Sequence, residues 1–159
     1  MVGCNYTFFL NEQKRFDALL NFCNNNNEKV IIYTRFKYAT LLFSKLFNFE
    51  INFSFIYSKY YKQYWENDLR KFINGEVNIL LTDKINMEYT TIPNLKKIIF
   101  YDIEYDCIKY FNYNYNNVEF ILYLLNDNNN SLLYKLIQNK DIKPNNLIEP
   151  TNVSIHAEI

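Results

Sequence analysis

Residues 77–102 read VNILLTD (Val77–Asp83), KINMEYTTIPN (Lys84–Asn94) and LKKIIFYD (Leu95–Asp102). The outer pieces are apolar runs of strand length, bounded by polar and turn residues. The segment between them has room for one short helix and a turn. Upstream the same rhythm recurs: VIIYT (Val30–Thr34), a helical pattern, INFSFIY (Ile51–Tyr57), a second helical pattern, then VNILLT. Strands alternating with helical patterns predict a mostly parallel sheet with helices on both faces. The expected class is α/β, in three layers of helix, sheet and helix.

Outward from that stretch, Tyr6–Leu10 is a candidate first strand. Asn11 is a candidate cap for the next helix, whose third position is Lys14, so the reciprocal acidic partner of a capping box is missing. Phe16, Leu19, Leu20 and Cys23 recur at helical spacing, and Leu41, Leu42, Leu46 and Phe49 repeat the pattern. Phe53, Phe55 and Tyr57 share one face of the strand that follows. Tyr61, Trp65, Leu69 and Phe72 form the stripe of a third helix over Tyr60–Phe72, and Gly75 is placed to stop it. Asp102–Asn117 reads as a polar, aromatic connection with a helical turn near Asp106–Phe111. Val118–Leu125 is a final strand, and Ser131–Asn139 a helix ended by Pro144. One domain over residues 1–148 with a lightly anchored tail, 149–159, is the expected organisation.

Composition narrows the function classes. Lys+Arg and Asp+Glu both number 17, so no global field draws the chain to nucleic acid, and an RNA site has to be a local patch. Tyr (15) and Phe (14) are abundant beside many Asn, Lys and Ile, a mixture that coding in an AT-rich genome produces. The only glycines, Gly3 and Gly75, are isolated, which argues against a glycine-rich phosphate loop. Cys4, Cys23, Cys107 and the single His156 form no zinc pattern and no disulfide framework. No signal peptide and no membrane span are expected, which points to an intracellular protein, nuclear or cytoplasmic.

The order of these segments resembles the second, carboxy-terminal RecA-like lobe of superfamily 2 helicases, most closely the DEAD-box RNA helicases of the initiation-factor and mRNA-export type. The likeness covers residues 6–148 through YTFFLNEQKRFDALLNF, VIIYTRF, FSFIYSKYYKQYWENDLRKFINGEVNILLTD and IIFYD. It rests on order, spacing and hydrophobic character rather than on one short motif. It implies a RecA-like fold, a role in RNA metabolism, and RNA contacts at the carboxy-terminal strand ends. The residues it places there are Arg35, Lys37, Ser58, Lys59, Lys62, Thr82 and Lys84.

Departures from the family pattern bear on catalysis. The helix after the third strand carries Lys62 and Trp65 where the resemblance leads one to expect Gln and an RNA-binding Arg. Lys62 is then either a phosphate contact or a solvated lysine, and Trp65, on the apolar stripe with Tyr61 and Leu69, is read as core or interface rather than a base-stacking platform. Thr82–Asp83 begins the motif that touches RNA and then ATP, with Thr82 offering its hydroxyl to a phosphate or capping the next turn. Glu88–Tyr89 stands where Arg-Gly is expected. The arginine-rich motif that completes the nucleotide site falls between Asp102 and Val118, where this chain has IEYDCIKYFNYNYNN and Lys109 as its only cation. The remaining arginines, Arg15, Arg35 and Arg70, lie elsewhere.

The resemblance therefore implies no catalytic residue, no resident cofactor and no metal. It describes a catalytically inactive module that binds single-stranded RNA weakly and without sequence preference, or a partner protein that clasps such lobes. Two alternatives stand beside it. One is half of a two-chain ATP-dependent helicase, with ATP and Mg²⁺ entering only when a separate first lobe completes the site. The other is an unrelated small α/β enzyme using Asp83, Glu88, Asp102, Glu104 or Asp106 after strand ends.

Overall fold

The computed structural model describes residues 3–84, 92–102, 118–125 and 147–148. In chain order these carry β1 (Gly3–Phe9), α1 (Glu12–Asn25), β2 (Lys29–Thr34), α2 (Phe36–Asn48), β3 (Ser54–Ile56), α3 (Lys62–Ile73), β4 (Ile79–Thr82), β5 (Leu95–Asp102), β6 (Glu119–Leu125) and β7 (Leu147–Ile148). The strands make one sheet in the order β3-β4-β2-β5-β6-β1-β7, and its ladders are parallel. The expected α/β architecture is the one observed.

Alternation along the strands divides the core. Val30 and Ile32 of β2 face one layer with Phe16 and Leu19 of α1 and Leu42 and Leu46 of α2. Ile31 and Tyr33 face the other layer with Trp65 and Phe72 of α3. A strand that is apolar on both sides belongs in the sheet interior, and β2 lies between β4 and β5. Phe72, Phe100 and Phe120 are fully buried. Cutting any of them back to Ala would cost about 3–5 kcal/mol, because a close-packed interior collapses only partly around the void.

Three expectations change. β3 is shorter than Ile51–Tyr57 because it is an edge strand closed off by α3. The Phe55 amide donates to Asp68 Oδ2 at 2.9 Å and Ser54 Oγ to the Asp68 carbonyl at 2.6 Å, which covers part of the edge. Tyr61 is not part of a buried helical stripe. It precedes α3 as its N-cap and is 78% exposed, while Trp65 and Phe72 are the buried residues of that helix. Finally, Leu147 and Ile148 pair with Cys4 and Asn5 as a seventh strand. Two residues carry no period from which a strand is read.

Helix ends follow their capping chemistry. Asn11 Oδ1 accepts from the Lys14 amide at 2.9 Å and caps α1. Gly75 ends α3 at φ +81, with its amide on the Phe72 carbonyl and that of Glu76 on the Lys71 carbonyl, a Schellman closure. The same pair of bonds ends α2, from Glu50 to Phe47 and from Ile51 to Leu46, but here Glu50 occupies φ 60. The connection 103–117, the expected helix 131–139, and residues 85–91 with Glu88 lie outside the described residues.

Candidate nucleic-acid interface

Because the strands run parallel, β2, β3, β4 and β5 deliver their carboxy-terminal ends to one edge. The order β3-β4-β2-β5 sets those ends side by side, which brings Arg35, Ser58, Asp83 and Asp102 into neighbouring positions. Two of them are acids, and the acids already hold two of the expected RNA contacts.

Arg35 follows β2 and meets Asp102 at the end of β5. Its Nε donates to Oδ2 and its terminal nitrogen to Oδ1, both at 3.0 Å, and its backbone amide donates to the Asp102 carbonyl at 3.1 Å. The fork is bidentate, the strongest geometry a guanidinium makes with a carboxylate. The two side chains are 30% and 10% exposed. Ser58 after β3 gives both its amide, at 2.7 Å, and its hydroxyl to the Asp83 carboxylate after β4.

Thr82 is fully buried. Its hydroxyl donates to the Ile56 carbonyl at 2.9 Å and accepts from the Lys84 amide at 3.0 Å. This is the local turn-capping alternative. Trp65 is core as expected, with its indole N–H on the Tyr60 carbonyl at 3.3 Å.

The lysines behave differently. Lys37 and Lys62 lie in the first turns of α2 and α3, and Lys59 in the turn after β3; all three are exposed. Lys84 is half-buried, its ammonium 5.9 Å from the Trp65 ring centroid, a cation–π distance. Neither α2 nor α3 has a side-chain cap or an acidic residue in its first turn, whereas α1 has Asn11 and Glu12.

Aromatic rings fill the space around these lysines. Phe55 and Tyr57 are stacked at 5.4 Å, Tyr57 and Phe36 at 5.2 Å, and Tyr57 meets Tyr60 edge-on at 5.4 Å. Tyr60, Tyr61 and Tyr64 continue outward at 54%, 78% and 68% exposure. Desolvation, with Asp83 and Tyr60 adding to it, raises the Tyr57 phenol above its ordinary pKa. The buried Arg15 closes the other side of β5, with its guanidinium 4.3 Å from the Tyr101 ring centroid and 2.8 Å from the Tyr101 carbonyl. Burial outweighs that cation and pushes the Tyr101 phenol up to about 12. Among the described residues no group of three His, Cys, Asp or Glu is placed to hold a metal ion, and no helix is long and apolar enough to cross a membrane.

The acceptor role of Asp83 and Asp102, the burial of Arg15 and the tyrosine cluster were not anticipated from sequence. The signal for the acids was present, since each is the first carboxylate at a strand end, in LLTD and IIFYD. The identity of their partners depends on strand order.

The chain belongs to the helicase conserved C-terminal domain family, whose profile matches residues 13–121. No curated protein matches it by sequence. Among solved structures it is similar to a variant of the S. cerevisiae Dbp5 C-terminal domain bound to a Gle1 variant and IP6. That match has 16% identity and a TM-score of 0.77, over 99% of this chain and 94% of the other. S. cerevisiae Dbp5 bound to RNA and ADP BeF3 matches at 16% identity and TM-score 0.79, and this chain spans 43% of that longer one. E. coli SrmB bound to the regulator of ribonuclease activity A matches at 14% identity and TM-score 0.72, over 87% of this chain and 85% of that one.

Proposed function

We propose that this chain binds single-stranded RNA through the lysines at the carboxy-terminal edge of its sheet, alone or with a partner protein, and does not turn over ATP. The observation that carries the RNA reading is the start of α2 and α3. Both helices begin there with a lysine in the first turn and with neither a side-chain cap nor an acid. A cation at a helix N-terminus opposes the macrodipole and costs about 0.3–1 kcal/mol. A phosphate set there reverses the sign, since it meets backbone N–H groups and an ammonium together. That Dbp5 is seen with RNA in one structure and with Gle1 in another supports the same reading for a chain of this fold.

Catalytic silence is supported by the arginines. Charge developing on a transferred phosphoryl group needs preorganised cations. Arg15 is buried against Tyr101, Arg35 is held by Asp102, and Arg70 is 2.6 Å from Asn67 and 3.6 Å from Glu76. No other arginine occurs in the sequence.

Titration of labelled single-stranded RNA at about 50 mM and about 150 mM salt, with an ATPase assay alongside, tests both halves. Weak binding at low salt that is indifferent to sequence and falls away at the higher salt is expected. So are no ATP turnover and no ATP binding tighter than about 1 mM. Absence of RNA binding at low salt contradicts the first half, and turnover that survives purification contradicts the second.

A further inference from the structure

From the tyrosines beside these lysines we infer that the edge stacks RNA bases as well as holding phosphates, so that Tyr61 and Tyr64 form a platform for the unpaired bases of a single strand. The inference rests on the RNA reading above and adds a base-dependent part to it. Lys59, Tyr60, Tyr61 and Tyr64 line one open groove. Tyr57 and Tyr60 are already packed edge-on, and Tyr60 and Tyr64 meet edge-on at 6.4 Å. Tyr57 and Tyr60 thus brace Tyr64, and Tyr61 and Tyr64 keep most of their surface in water.

The chemistry around the groove selects its occupant. The exposed groups that line it are phenol rings and an ammonium, with Lys62 next in the chain. Rings interleaved with lysines match a strand that alternates bases with phosphates, and stacking of this kind tolerates any base because every base has a π-face. The rings also offer a broad, flat surface at low entropic cost, with two torsions each.

The test compares the full chain on labelled oligouridylate with its binding to an abasic oligomer of the same length and phosphate number, at low salt. Tyr61→Ala/Tyr64→Ala, Tyr61→Phe/Tyr64→Phe and Lys59→Ala/Lys62→Ala variants are measured in parallel, with circular dichroism as the check on folding. The expected result is an abasic strand bound at least about fivefold more weakly, with a similar loss in the alanine double variant and retention in the phenylalanine one. Equal binding of both oligomers, with the alanine variant unaffected, overturns the platform and leaves the phosphate reading standing. No binding of either oligomer overturns both, and leaves the groove to a protein partner.

Discussion

Arg35 and Lys59 both follow strands on the same edge of the sheet, and their surroundings give them opposite duties. Arg35 is committed to Asp102 by two 3.0 Å hydrogen bonds, and the carboxylate keeps only 10% of its surface exposed. Arg35→Ala leaves the nearly buried Asp102 carboxylate without its fork and should cost about 2 kcal/mol of stability, seen as a lower urea midpoint at unchanged slope. Lys59→Ala touches an exposed side chain and should stay within about 0.5 kcal/mol. An unchanged midpoint for the Arg35 variant would mean the ion pair is not holding the strand ends together. That both residues follow strands was legible in the sequence. That Asp102, 67 positions on, lies beside Arg35 was not, because it requires β2 and β5 to be neighbours. Thr82 was ambiguous for a similar reason. A hydroxyl at a strand end serves solvent or its own turn equally well until its burial is known.

Among the elements, the two Schellman ends form an internal control. Gly75 sits at φ +81, and a methyl group added there would have no heavy atom within 4 Å, so Gly75→Ala meets only backbone strain. A loss of about 1 kcal/mol is expected. Glu50 bears that strain in the native chain at φ 60, and Glu50→Gly should recover about 0.5–1 kcal/mol in thermal or urea unfolding. Equal and negligible effects at both sites would mean that neither left-handed closure carries strain. Strands and helices were legible because apolar runs and helical stripes are long-range patterns. Element ends were less so. α3 starts one residue after Tyr61, and that exposed ring belongs to the surface rather than to the stripe of Trp65 and Phe72. The two-residue β7 had no pattern to read.

For the molecule as a whole, buried proton donors set an alkaline limit. Burial pushes the Cys23 thiol up from 9.0 to about 12, and the Tyr101 phenol from 10.0 to about 12 against the pull of Arg15. Unfolded, both groups release protons near their ordinary values, so between those values and about 12 the folded state binds more protons. Their contribution is complete below about pH 9 and is lost as pH climbs towards about 12. Chemical unfolding at stepped pH should show stability declining as pH rises above about 9; constancy across the alkaline range would contradict the burial of these groups. In a variant lacking Cys4 and Cys107, Cys23 should likewise resist alkylation at neutral pH until the chain unfolds, because the thiolate is the reactive form.

If lysines at the carboxy-terminal edge hold RNA phosphates, the salt dependence of binding shows it most directly. For a single strand, the slope of log K against log salt is about −0.7 for each phosphate neutralised. Lys59→Ala/Lys62→Ala should make that slope shallower by about 1.4 while the urea midpoint stays close to that of the unaltered chain. A slope identical to that of the unaltered chain would contradict the phosphate role of these lysines.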